Sequence, residues 1–292
     1  MESHIITKRP RPQVPEGAPH FIIVGACKAG TTTLYDDLAK HPDTFLPFDK
    51  EPDILHKATD TVDALRLWSK HFEKSTSGQI RGEASTYYTM VPNFEDVSKL
   101  AQETLGSDVR IIYLMRHPIN RIISQLGHDY LARRIDKNFD EAALNDPKYV
   151  AWSDYALQIK PWIENFGRTN VMTIVFEDFI ERRIEITKSV CEFIGLNPYT
   201  LPKRNEISNT REGKQMNPNK ILQTILIRTS YYKTWRHFLP SGIKNFVRKA
   251  PIKKPSTTIV TLRPETQAEL KRRLAHVPKD LFSLDIDSGK WE

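Results

Sequence analysis

Three short apolar runs punctuate the chain, at 20–26, 109–115 and 171–177. Each has the length and β-branched content of a strand buried on both faces of a parallel sheet. The third, Val171-Met-Thr-Ile-Val-Phe-Glu177, is expected to end at the acidic pair Glu177-Asp178. Between the runs the apolar spacing becomes helical. Leu34 and Leu38 sit four apart in a helix that Pro42 ends. Tyr155, Ile159, Trp162, Ile163 and Phe166 form a stripe before Gly167, with Pro161 expected to kink or restart that helix. Ile186, Val190 and Ile194 repeat the pattern before Gly195. Ile221, Leu222, Ile225 and Leu226 predict another helix, and Leu270, Leu274 and Val277 a last one. Strands alternating with helices predict an α/β fold, a central parallel sheet flanked by helices and joined by right-handed crossovers. Ligands of such sheets bind beyond the C-terminal ends of the strands.

Both candidate anion loops fall at such ends. The first run feeds into Gly25-Ala-Cys-Lys-Ala-Gly-Thr-Thr-Thr33. Gly25 and Gly30 stand where a nucleoside-triphosphate P-loop places glycines, but Thr31 occupies the position of the lysine that holds the β/γ-phosphates. Lys28 lies inside the turn instead. The turn still offers backbone N–H groups and a helix N-terminus to an anion. A nucleotide with a shorter acidic tail at its 5′ end fits it better than ATP, which weighs against a P-loop nucleotide kinase. A plain threonine cap would need one threonine, and three follow Gly30. The second run leads to Arg116, with Pro118 at the first turn of a helix and Ser124 eight residues after the arginine. A guanidinium at a strand end offers paired donors to a phosphate.

Lys28-Ala-Gly-Thr-Thr32, together with Arg110-Ile-Ile-Tyr-Leu-Met-Arg-His-Pro-Ile-Asn-Arg-Ile-Ile-Ser124, resembles the sulfotransferases that use 3′-phosphoadenosine 5′-phosphosulfate (PAPS). The resemblance covers roughly residues 20–292 and implies a P-loop-like three-layer fold. It implies that Lys28, Ala29, Gly30, Thr31, Thr32 and Thr33 hold the 5′-phosphosulfate, with Lys28 near the bridging oxygen. Arg116 and Ser124 would hold the 3′-phosphate, while Arg121 is expected to pair with a carboxylate on its own helix. The late loop Asn209-Thr-Arg-Glu-Gly-Lys214 is the candidate to close over the nucleotide, through Arg211, Gly213 and Lys214.

Lys50-Glu-Pro52 is similar to a segment of heparan-sulfate-type enzymes in which the glutamate is the general base, so Glu51 is the candidate catalytic base beside Lys28. Aryl and steroid sulfotransferases use histidine, which leaves His41, His56 and His71 as alternatives; His117 is expected to shape the turn at Pro118. Arg81-Gly-Glu-Ala-Ser-Thr-Tyr-Tyr88 corresponds to the strand and loop lining the family's acceptor site. Ala84 and Thr86 stand where several heparan-sulfate enzymes carry lysine and proline, which argues against a heparan-type acceptor. Glu83 is either a second carboxylate near the acceptor or a member of a structural ion pair.

Composition adds boundaries. A chain of 292 residues can bury a sizeable core, and no apolar run approaches the roughly 18–20 residues that span a bilayer. Residues 1–19 read as a flexible, basic, proline-rich arm without the apolar centre of a signal peptide, and 20–292 as one catalytic domain. Cys27 and Cys191 imply no disulfide, and a cytoplasmic setting is expected. No His/Cys/Asp cluster has ligand spacing, so no metal is expected. Between Gly213 and Pro264 eleven lysines and arginines occur without one acid, more than the whole net charge of +7. Tyr231, Tyr232, Trp235, Phe238 and Phe246 lie among them. This segment could grip an anionic acceptor or a membrane surface, leaving peripheral membrane contact open; no nucleic acid is expected. It also supports a rival reading, a non-catalytic binder of polyanions or membranes, whose binding would fall steeply with salt. The leading expectation is transfer of a sulfuryl group from PAPS to a hydroxyl, or an amine, of a glycan or small natural product.

Overall fold

The computed structural model describes residues 9–198, 260–289 and 291. The elements before the sheet's midpoint are β1 (Phe21–Gly25), α1 (Thr31–Leu38), β2 (Thr44–Phe45), α2 (Ile54–Lys57), α3 (Thr61–His71), β3 (Ile80–Ala84) and α4 (Ser98–Leu105). There follow β4 (Arg110–Met115), α5 (Pro118–Leu131), α6 (Phe139–Asn145), α7 (Lys148–Ala151), α8 (Tyr155–Phe166), β5 (Val171–Val175), α9 (Phe176–Glu181) and α10 (Arg183–Phe193). Two helices near the C-terminus are α11 (Pro264–Arg273) and α12 (Val277–Ser283).

The strands form one parallel sheet in the order β2-β3-β1-β4-β5. Phe21 lies opposite Gly82 on one side and Arg110 on the other. Every residue of β1 and β4 is buried, because helices cover both faces of the sheet and leave no polar side to alternate with. The expected α/β architecture, a parallel sheet between helical layers, is therefore the observed one. From β1 the chain crosses towards β2, and from β4 it crosses the other way towards β5. The crevice between the C-terminal ends of β1 and β4 is thus the switch point of the sheet, where such folds take ligands.

Helix α1, which carries the first loop, is fixed by both packing and charge. Leu34 and Leu38 are fully buried, each worth about 1.5–3 kcal/mol relative to exposure. On its other side buried Asp37 accepts a fork from Arg183 of α10, at 2.7 and 2.8 Å. The loop at the head of α1 therefore rests on a helix with little freedom to shift.

Several local expectations are corrected. Strand β5 ends at Val175, and Glu177 and Asp178 belong to the first turn of α9, where acidic side chains suit the positive end of a helix. Helix α8 runs through Pro161 unbroken. The bond its missing N–H forfeits is to Leu157, on the exposed side of the helix, where water can replace it. The last predicted helix is two, since the chain turns at Leu274–His276 and restarts with Pro278 in the first turn of α12. Within the stretch expected to be an arm, Arg9 donates its backbone N–H to Glu192 (3.1 Å) and its guanidinium to Thr169, while Pro12 and Ala18 are buried. Cys27 and Cys191 are both buried. The helix expected around Ile221–Leu226, the late loop with Arg211, Gly213 and Lys214, and the basic segment up to residue 259 lie outside the described residues.

Candidate functional site

The turn after β1 is shaped by two glycines for different reasons. A Cβ on Gly25 would stand 2.0 Å from Thr89 Oγ1, whose hydroxyl donates to the Val24 carbonyl at 2.7 Å. Gly30 has φ of 92°, in the left-handed region, and a Cβ there would meet the Phe176 ring at 2.7 Å. Lys28 also takes a positive φ, 66°. The turn delivers the chain into α1, whose first turn holds threonines and no acid.

Not every amide expected to hold the anion is available. Ala29 N–H donates to Ala26 (3.2 Å) and Thr33 N–H to Gly30 (3.0 Å), which closes the turn on itself. Gly30, Thr31 and Thr32 keep their N–H groups without a backbone acceptor among the described residues, as the first turn of a helix must. Thr31 and Thr33 are buried, and Thr32 is half-buried. The donor set at this end is thus three successive amides with Lys28 beside them.

The second loop meets the first. Arg116 follows β4 directly, and its Nη1 donates to the Lys28 carbonyl at 3.4 Å. Its guanidinium lies over the Phe176 ring, 4.7 Å from the centroid, so the ring beneath Gly30 also orients Arg116. Its backbone is gripped by Tyr155, whose hydroxyl donates to the Arg116 carbonyl at 2.6 Å and accepts the Arg116 N–H at 3.3 Å. Pro118 opens α5, and Ser124 lies half-buried two turns along it. Glu177 accepts the His117 N–H at 3.1 Å and the Trp291 indole N–H at 3.3 Å. Phe176, Tyr155 and Glu177 were not legible as site residues. The only signal was their place just after a strand or opposite one.

Arg121 is not the ion-pair former expected. It is fully buried and donates to Ser153 Oγ (2.7 Å), the Tyr149 carbonyl (2.8 Å) and Cys27 Sγ (3.4 Å). Five residues from Arg116, it points from α5 into the core under the first loop, where its partners are a hydroxyl, a carbonyl and a thiol. Burial raises the Cys27 thiol above its ordinary pKa, against the pull of Arg121 and Lys28.

Glu51 sits across the crevice. Its backbone N–H donates to the Ala84 carbonyl at the end of β3 (2.9 Å), which sets it at the same edge of the sheet as both loops. Lys50 Nζ donates to Glu51 Oε1 at 2.6 Å. Its charge is near enough to add to the raised pKa values of Cys27 and Tyr87, for both of which burial is the larger cause. Glu51, Tyr87 and the first loop therefore share one electrostatic neighbourhood.

The histidine alternatives separate on position and hydrogen bonding. His41 precedes β2, whereas His71 ends α3 and lies within reach of the charges of Asp49 and Lys57, with burial the larger cause of its lowered pKa. His41 bridges the Asn197 carbonyl and the Asp43 N–H at 2.9 and 3.1 Å. His56 is close to Glu51 in sequence, but both ring nitrogens face acceptors, Asp53 Oδ1 at 2.7 Å and the Glu95 carbonyl at 3.1 Å. Burial alone would lower its pKa, yet those two bonds together with the charges of Asp53 and Glu95 raise it. A ring that donates from both nitrogens has no lone pair to offer a substrate proton.

Glu83, offered either to the acceptor or to an ion pair, does neither. It is fully buried and accepts from Ser85 Oγ, Tyr88 OH and Trp68 Nε1.

Comparison with known proteins gives the family. The family model described as "Sulfotransferase domain" matches residues 18–254. The chain belongs to the sulfotransferase family. It is 32% identical over 110 residues to the membrane-associated sulfotransferase kil1 of Dictyostelium discoideum, covering 37% of this chain and 22% of that protein. It is 22% identical over 202 residues to mouse heparan sulfate glucosamine 3-O-sulfotransferase 3B1, covering 66% of this chain and 50% of that one. The chain thus spans half or less of the length of these curated relatives. Among solved structures, a sulfotransferase from Alicyclobacillus acidocaldarius superposes with a TM-score of 0.66 at 20% identity, covering 94% of this chain and 98% of that one. That likeness establishes the shared P-loop-like fold. Among the described residues, no helix is long and apolar enough to cross a membrane.

Proposed function

We propose that this sulfotransferase moves the sulfuryl group of PAPS to a hydroxyl of a glycan or small-molecule acceptor. The observation that carries the reading is the meeting of the two anion loops at the switch point, through Arg116 Nη1 and the Lys28 carbonyl, with Glu51 pinned at the same edge. Gly30, Thr31 and Thr32 amides and Lys28 hold the 5′-phosphosulfate, and Arg116 and Ser124 hold the 3′-phosphate. The Glu51 carboxylate takes the proton of the acceptor hydroxyl as its oxygen attacks sulfur. The sulfur–oxygen bond to the 5′-phosphate breaks, its electron pair staying on the phosphate oxygen, and Lys28 offsets that developing charge. The products are a sulfate ester and 3′,5′-adenosine bisphosphate. Positioning and charge stabilisation supply the catalysis, as in phosphoryl transfer.

A glycan is favoured as acceptor by the name of the mouse relative, which concerns a glucosamine hydroxyl of heparan sulfate. Ala84 and Thr86, where heparan-type enzymes carry lysine and proline, turn the choice away from heparan itself. The direct test incubates the protein with sulfur-labelled PAPS and separate soluble and membrane fractions of host extract, then identifies the labelled product. Label in a saccharide or small molecule is expected; label in neither fraction, with intact PAPS recovered, overturns the reading.

A smaller prediction concerns the loop itself. Gly30→Ala places a methyl group against the Phe176 ring and forces a left-handed alanine, a strain of about 1–3 kcal/mol. Affinity for 3′,5′-adenosine bisphosphate should fall roughly tenfold or more by calorimetry. Unchanged affinity would mean that the ring can move without disturbing Arg116.

A further inference from the structure

The segment that carries Glu51 has an unusual support. Glu51 and Asp53 both hold left-handed backbone, at φ 63° and 54°, a region that favours glycine. Such a segment does not keep this shape by its own propensity. Three alternate amides tie it down: Glu51 N–H to the Ala84 carbonyl (2.9 Å), Asp53 N–H to Ser85 Oγ (3.0 Å) and Leu55 N–H to Tyr88 OH (3.1 Å). Both hydroxyls in that set also donate to one atom, Glu83 Oε1, at 2.9 Å from Ser85 and 2.6 Å from Tyr88. Glu83 Oε2 accepts the indole N–H of Trp68 in α3.

A hydroxyl can donate once and accept as well, and which way it points depends on its neighbours. An ionised carboxylate only accepts. It therefore turns both hydroxyl hydrogens inward and leaves both oxygen lone pairs facing the amides of Asp53 and Leu55. We propose that Glu83 is the positioning residue for the catalytic base: through Ser85 and Tyr88 it fixes the backbone of residues 51–55 and hence where the Glu51 carboxylate stands. This rests on Glu51 being the base. Burial raises the pKa of Glu83, and its three donors oppose that shift.

Glutamine cannot reproduce this pattern. Its amide nitrogen faces either the Trp68 N–H, donor against donor, or the two hydroxyls, whose orientation it reverses. Tyr88→Phe and Ser85→Ala remove one link each and keep the buried shape nearly intact, so they carry the test should Glu83→Gln fold poorly. Turnover is measured with labelled PAPS and the acceptor fraction of host extract, in the Glu51 protein and in a Glu51→Gln background. With Glu51 present, each change is expected to lower kcat about 10–10²-fold, the scale of a misplacement near one ångström. In the Glu51→Gln background the same changes should cost almost nothing further, since effects through one group do not add. Affinity for 3′,5′-adenosine bisphosphate should hold throughout. Hydrogen exchange should quicken at the Asp53 amide in Ser85→Ala and at the Leu55 amide in Tyr88→Phe.

Equal losses in both backgrounds, or nucleotide affinity falling in step with kcat, would reduce Glu83 to a core carboxylate and overturn the proposal. Normal turnover in Glu51→Gln alone would remove the base itself, and the positioning role with it. Loss of turnover there, with none in Tyr88→Phe and Ser85→Ala, would sink the positioning role and leave the base standing.

Discussion

Glu51→Gln is expected to lower turnover about 10²–10⁴-fold while leaving affinity for 3′,5′-adenosine bisphosphate unchanged. The substitution keeps the side chain's size, and its backbone bond to Ala84 does not involve the carboxylate. What it removes is the group that accepts the acceptor's proton. The partner Lys50, 2.6 Å from Glu51 Oε1, would then face a neutral amide, but Lys50 has no lone pair when charged and cannot take over. His56 cannot either, because Asp53 and the Glu95 carbonyl occupy both of its nitrogens. The measurement is kcat with labelled PAPS beside a nucleotide titration on the same preparation. Near-normal turnover would show that proton removal is not assigned to this loop.

Arg116→Ala should abolish most of the preference for 3′,5′-adenosine bisphosphate over 5′-AMP. The two nucleotides differ only in the 3′-phosphate, so their affinity ratio isolates the groups that meet it. A charge-assisted contact contributes roughly 1.5–3 kcal/mol, about tenfold to a hundredfold in affinity. Arg116 is well placed for that work. Phe176 holds its guanidinium from one face, and Tyr155 holds its main chain from both polar sides. Removing it also takes a donor from the Lys28 carbonyl, so affinity for 5′-AMP should fall too, though by less. A wild-type protein that binds the two nucleotides equally well in calorimetry would refute the assignment of Arg116 and Ser124. Ser124→Ala should weaken the same preference in the same direction by a smaller factor, since a neutral hydroxyl donates a weaker bond than a guanidinium.

Much of this was written locally. The strands at β1, β4 and β5 were legible because strands buried on both faces are continuous apolar runs, and two of them are buried at every position. The first loop was legible because glycine, lysine and threonine at that spacing follow a strand and open a helix, all within a few residues of one another. Strand β2 was missed, being two residues long with no pattern to read. Strand β3 was reached only through the resemblance. It contains Arg81, Gly82 and Glu83, and Gly82 is there because the Phe21 ring fills the space its side chain would need.

By itself, then, the sequence determined the fold class and the family, and it marked the two loops proposed to hold anions, since each depends on patterns among residues near in the chain. Only the tertiary structure decided how charged groups with similar local surroundings divide their work. Arg116 and Arg121 lie five residues apart, yet one faces the crevice and the other is sealed beneath the first loop. Glu51 and Glu83 lie 32 residues apart, yet β3 joins them, one half-buried at its rim and the other buried as the anchor of its hydroxyls. Which face of a helix or strand meets the core, and which strand end lies beside which loop, depends on the order of strands in the sheet. That order comes from packing between segments far apart in the chain, which local spacing does not encode.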